Sequence, residues 1–185
     1  MNTTDRILGE AEASKVRPPN DLQLTCPLNA FYYATNIVKG RWPEGEATIA
    51  KDPRSAHYYA RDFIKGRFPE AEPAIAKDPK WAYDYARDVI KGRFPEAEPA
   101  IAKDPWSAQF YAKAVIKGRF PEAEEAIAKD PAVAFHYAYE VLKGRWPEGE
   151  PAIAKDPDYA KLYLEQFPEA KLEWLLNGWL DWLDL

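Results

Sequence analysis

The sequence predicts an all-α fold, an α-solenoid of about six tandem helix-turn-helix repeats with N- and C-terminal caps. Three observations predict it. The triplet Lys-Gly-Arg begins at Lys39, Lys65, Lys91, Lys117 and Lys143, always 26 residues apart. The pair Asp-Pro keeps the same step at Asp52, Asp78, Asp104, Asp130 and Asp156, and Cys26-Pro27 fills that slot one step earlier. The 17 prolines recur every few residues, and no period-2 alternation appears, so strands are disfavoured.

Each unit reads as a long helix followed by a short one. Asp52 is a good N-cap, and Pro53 suits the first helical position because its missing N–H has no partner to lose there. The long helix then runs to Lys65, whose charge complements the C-terminal dipole. Gly66 is expected to take the left-handed turn that ends it. Arg67-Phe68 connects to a short helix opened by Pro69, with Glu70 and Glu72 in its first turn and its end near Lys77. Pro73 lies beyond the free first positions and is expected to kink or restart that helix. Ala47 and Glu125 occupy the same slot elsewhere and permit continuous helix.

The boundaries follow. Residues 1–25 carry no repeat and hold Pro18-Pro19, so they read as a cap or linker. Residues 26–167 are the repeats, the last shortened by five residues between its Asp-Pro and Phe167. Residues 168–185 read as a capping helix with the apolar stripe Leu172, Leu175, Leu176, Trp179 and Leu183.

Comparing the copies separates core from surface. Counting from the cap proline, position 3 of the long helix is always Ala, from Ala30 to Ala160, and position 6 is always Tyr, from Tyr33 to Tyr163. With position 7 and the aliphatic positions 10 and 11 they form one stripe at about 100° per residue. Positions 1, 4, 5 and 8 fall opposite, and there the copies disagree. They supply the candidate partner-binding residues Arg54, His57, Tyr58, Arg61, Lys80, Tyr83, Arg87, Trp106, Phe110, Lys113, Phe135 and Tyr139. This surface is expected to be basic early, aromatic in the middle and acidic late. Aromatic and Arg side chains are common interface anchors. The competing readings are drift on a tolerant solvent face, and burial of the long helix on two sides.

Other chemistry finds little support. Net charge is −5, which argues against a general duplex-DNA binder. One cysteine, Cys26, permits no intramolecular disulfide, and His57 and His136 show no metal-ligand spacing. No phosphate loop, nucleophile elbow or His-Glu-x-x-His helix occurs. The expectation is therefore a non-enzyme without cofactor or metal. The Lys-Gly-Arg ladder offers repeated phosphate contacts, but helix termination by Lys and Gly, with Arg pairing to Glu70-type carboxylates, is the stronger reading. No signal peptide and no stretch of 18 uncharged apolar residues is present, which suggests a cytoplasmic chain with no membrane partner. The Trp-rich end offers self-association as a second role beside capping.

The run Lys-Gly-Arg-Phe-Pro-Glu-Ala-Glu-Pro-Ala-Ile-Ala-Lys-Asp-Pro resembles short tandem repeats of bacteriophage and phage-derived bacterial proteins. The resemblance covers residues 26–167 and carries no enzymatic activity with it. It implies a phage-encoded protein in the host cytoplasm that binds and inhibits a host protein or defence complex by steric occlusion. The alternative is a nucleic-acid binder, or an acidic nucleic-acid mimic acting on a nucleic-acid enzyme.

Overall fold

The computed structural model describes residues 25–170. Apart from Thr25, the N-terminal cap expected over 1–25 lies outside them, as does the apolar stripe expected within 168–185. The chain divides into two compact units, Met1–Ile90 and Lys91–Leu185. Every regular element among the described residues is helical.

The first unit contains α1 (Pro27–Tyr33), α2 (Pro43–Ile49), α3 (Pro53–Tyr59), α4 (Glu72–Ile75) and α5 (Pro79–Tyr85). The long helices α1, α3 and α5 pack side by side in chain order, and α2 and α4 each contact the long helix before and the long helix after them in the chain. The second unit contains α6 (Glu98–Ile101), α7 (Pro105–Tyr111), α8 (Pro121–Ile127), α9 (Pro131–His136), α10 (Glu150–Ile153) and α11 (Pro157–Gln166). There α7, α9 and α11 pack in the same consecutive way. The all-α repeat solenoid expected from the period is what forms.

Aspartate side chains cap the long helices as expected. Asp52 accepts from the Ser55 N–H at 2.8 Å, and Asp104 from that of Ser107 at 2.8 Å. Cys26 stands in the same slot and makes no side-chain cap. Positions 3, 6 and 7 of the stripe are the core: Ala56, Tyr59, Ala60, Ala108, Tyr111 and Ala112 are fully buried, as are Ile75, Ile101 and Ile127 of the short helices. At positions 10 and 11, by contrast, Phe63, Ile64, Val115 and Ile116 are only half-buried and Ile37 is exposed.

Two features differ from the sequence reading, and a third decides between two outcomes it allowed. First, five long helices widen at their ends into π-helical turns, at Ala34–Val38, Ala60–Ile64, Ala86–Ile90, Ala112–Ile116 and Tyr137–Leu142. In the second of these the Lys65 N–H reaches back five residues to the Ala60 carbonyl, at 2.7 Å. Second, the left-handed residue is the lysine and not the glycine. Lys39, Lys65, Lys91, Lys117 and Lys143 have φ between 53° and 59°, and no glycine among the described residues has a positive φ. The wider turn ends one residue earlier than an α-type cap, so the reversal falls on lysine while the Gly66 N–H bonds the same Ala60 carbonyl at 3.3 Å. Third, Pro73 restarts the short helix. Copies with Pro73, Pro99 or Pro151 pass through a turn into a four-residue helix. Copies with Ala47 or Glu125 in that slot form seven residues of continuous helix from Pro43 or Pro121. The proline lacks the N–H that would bond four residues back.

The Tyr that recurs in every copy is more than packing. The Tyr85 hydroxyl accepts from the Phe68 N–H at 2.6 Å and donates to Glu72 at 3.0 Å. Arg67 grips the same carboxylate with two bonds, at 2.8 and 2.6 Å. The carboxylate is therefore Glu72, five residues on, and not Glu70. The same clasp joins Arg41, Glu46, Tyr59 and Trp42, then Arg93, Glu98, Tyr111 and Phe94. It recurs with Arg119, Glu124, Tyr137 and Phe120, and with Arg145, Glu150, Tyr163 and Trp146. Each clasp ties the connection of one repeat to the long helix of the next. It also satisfies a buried backbone donor that would otherwise have no partner.

Candidate partner-binding face

In the second unit four large apolar side chains of the variable columns stand in solvent. Trp106 is 41% exposed, Phe110 40%, Tyr139 49% and Leu162 42%. They belong to three consecutive long helices. Rings connect them: Trp106 lies 5.7 Å from Phe110 and 5.9 Å from His136. Phe135 stacks on Tyr139 at 5.9 Å with only 3° between the planes, and touches Tyr159 at the same distance.

Phe135 itself is 7% exposed and sits beneath this layer. It is not available as a first contact, and the sequence expectation is corrected there. His57, at the same position 4 in the first unit, is 2% exposed. The physical reason is common to both. Position 4 points at the next long helix rather than at solvent, so a single-helix wheel places it wrongly. Gln109, also at position 4, is buried and donates to Glu140 of the next long helix at 2.7 Å. His57 Nε2 lies 3.3 Å from Asp88 in the corresponding place. Burial lowers the His57 pKa, against the opposing pull of Asp84 and Asp88. Its Nδ1 is buried without a hydrogen-bond partner.

In the first unit the expected cations Arg61, Lys80 and Arg87 are exposed but already engaged. Arg61 makes two bonds to Asp62, at 2.7 and 3.0 Å, and lies 4.8 Å over the Tyr58 ring. Arg87 bonds Asp88 at 2.6 and 2.9 Å, pairs with Asp84 at 2.9 Å and sits 4.9 Å over Tyr83. Lys80 lies 5.2 Å over Trp81. Arg54 is exposed, and Tyr58 and Tyr83 are half-buried. The expected basic opening of the surface is thus largely neutralised by carboxylates at positions 5 and 9. In the second unit Lys113 pairs with Glu140 at 2.9 Å. Burial opposes ionisation of Glu140, and its bonds to Lys113 and Gln109 outweigh it and lower the pKa.

No family model, no curated protein and no solved structure matches this chain.

Sequence reasoning passed over Trp81, Tyr159 and Leu162. The first two occupy position 2, where the copies read Asn29, Ser55, Trp81, Ser107, Val133 and Tyr159, as mismatched as any column selected. Leu162 stands in the selected position 5, but as a lone aliphatic it lacked the ring that marked its neighbours. The arginines of the Lys-Gly-Arg ladder are all held by glutamates, which favours their structural reading over phosphate binding. Among the described residues no three His, Cys, Asp or Glu side chains gather as a metal-ligating group, and no helix is long and apolar enough to cross a membrane.

Proposed function

We propose that this chain is a non-catalytic protein-binding repeat, and that its partner docks on the long-helix face of the second unit. Trp106, Phe110, Tyr139 and Leu162 are the anchors. The exposure of these four side chains on neighbouring helices carries the reading. A tolerant solvent face accumulates Lys, Glu and Ser, whereas connected aromatic rings left in water mark an interaction site. Trp and Tyr are also the side chains that most often dominate binding energy. The resemblance to phage repeat proteins supports a host protein or defence complex as the partner, blocked by occlusion of its surface.

The test compares capture of binding partners from host lysate by the wild-type chain and by Trp106→Ala/Tyr139→Ala. Both side chains are exposed and neither belongs to a clasp or to the Ala–Tyr stripe, so the variant is expected to keep its helical circular dichroism and its unfolding midpoint within a small shift. The expected result is a specific partner retained by wild type and lost by the variant. Equal capture by both removes this face from the interface.

A further inference from the structure

Beside the candidate face, the end of α11 borders a groove of about 670 Å³. Lys113, Tyr139, Glu140, Lys143, Gln166 and Phe167 line it. The groove lies where the last repeat departs from the others. After Gln166 the chain reaches Phe167 directly, without the π turn and Lys-Gly pair that end the preceding long helices. Phe167 still arrives on the Tyr163 ring, at 4.9 Å, as Trp42 does on Tyr33 at 4.9 Å. The repeat is therefore shortened in register.

The groove is amphipathic and cationic. Tyr139 and Phe167 give it ring surface. Lys113 is paired with Glu140, while Lys143 makes no ion pair among the described residues. The sequence continues past Ala170, three residues beyond Phe167, into the most apolar stretch of the chain. Nine of residues 171–185 are Leu or Trp, and Glu173, Asp181 and Asp184 outnumber Lys171. Nine such side chains in fifteen strongly favour burial. A three-residue tether also gives a local concentration on the order of millimolar.

We propose that residues 171–185 dock back into this groove, with Leu and Trp against Tyr139 and Phe167 and with carboxylates toward Lys143. Tyr139 belongs to both the groove and the candidate face. The docked segment therefore covers one edge of that face and competes with the partner. This last consequence rests on the protein-binding reading; the docking itself does not.

Amide hydrogen exchange of the full-length chain tests it with no partner present. Trp179→Ser/Leu180→Ser is expected to raise exchange across residues 139–143 and 166–170 by about tenfold, with α7 unchanged. Lys143→Glu is expected to give about a threefold increase in the same two places, reversed when Asp181→Lys is added. Lys143 is exposed, so this charge swap decides the matter if the double serine variant unfolds. Exchange that stays unchanged at 139–143 in both experiments overturns the proposal. So does protection that grows with protein concentration alongside a sedimenting dimer, because the segment then sits in a second copy. Failure here leaves partner capture through Trp106 untouched, and loss of that capture leaves the exchange result untouched.

Discussion

A Cβ placed on Gly149 would lie 2.3 Å from Cε3 of Trp146, closer than any two carbons pack. The same pairing holds at Gly45 and Trp42, where the distance is 2.1 Å. In the other copies the partners are Phe68 with Ala71, Phe94 with Ala97 and Phe120 with Ala123, all buried. Indole requires glycine and benzyl permits alanine, so Arg-Trp-Pro-Glu-Gly-Glu and Arg-Phe-Pro-Glu-Ala-Glu are two solutions to one packing problem. Gly149 has φ −88°, which alanine adopts without strain, so a substitution there reports the clash alone. Gly149→Ala is expected to destabilise by about 1–3 kcal/mol. Adding Trp146→Phe restores stability, and it also removes an indole Nε1 that is buried without a partner. Urea unfolding of the two single variants and the double gives the coupling energy. Additive costs would contradict the exchange.

The clasp makes a second claim. In Tyr111→Phe the ring stays and only the hydroxyl goes. The Phe94 N–H then loses the hydroxyl it bonds at 2.7 Å. The expected cost is about 1–3 kcal/mol, more than an ordinary exposed hydrogen bond. A loss below about 0.5 kcal/mol in chemical unfolding would mean that the N–H finds another acceptor.

The repeat, its caps and its Ala–Tyr stripe were legible because each leaves a residue-specific mark in every copy. Asp52 caps and Pro53 starts a helix by local chemistry that no neighbour overrides. The restart at Pro73 was legible for the same reason. The π turns were not. Ala60 and Lys65 are the same residues whether the bond returns four positions or five, so nothing in one copy signals the widening. The candidate face was legible in part. Trp106, Phe110 and Tyr139 are where their mismatch placed them. His57 and Phe135 are not, because a helical wheel shows one helix and burial at position 4 comes from the helix beside it.

The misplaced left-handed residue yields a third prediction. A lysine at φ 57°, as at Lys65, brings its Cβ close to the backbone, at a cost of roughly 1–2 kcal/mol that glycine does not incur. Lys65→Gly is therefore expected to stabilise the chain by about 0.5–1 kcal/mol, after the greater entropy of glycine in the unfolded state is counted. Gly66 contrasts with it. Its φ is not positive and a Cβ would meet nothing within 4 Å, so Gly66→Ala is expected to be neutral or mildly stabilising. Thermal unfolding of both variants checks this. A large loss in Gly66→Ala would return the left-handed role to glycine.

Acid should act on this fold in two steps. Glu46, Glu72, Glu98 and Glu124 are each held below the usual carboxylate value by the arginine of their clasp, against the opposing effect of burial. His57 is held below its usual value by burial, despite the nearby aspartates. In both cases the native chain binds fewer protons than the unfolded chain, so stability rises with pH. The histidine contribution is complete above about pH 6.5, and declines as the pH falls toward the lowered native value. The glutamate contributions are complete above about pH 4.3, and decline below it. His57→Gln separates the steps, because it copies the Gln109–Glu140 pair of the second unit in a group that does not titrate. Urea midpoints measured from about pH 7.5 to 3.5 are expected to lose the decline below pH 6.5 in this variant and to keep the acid decline. If the first decline survives in His57→Gln, the buried imidazole is not its source.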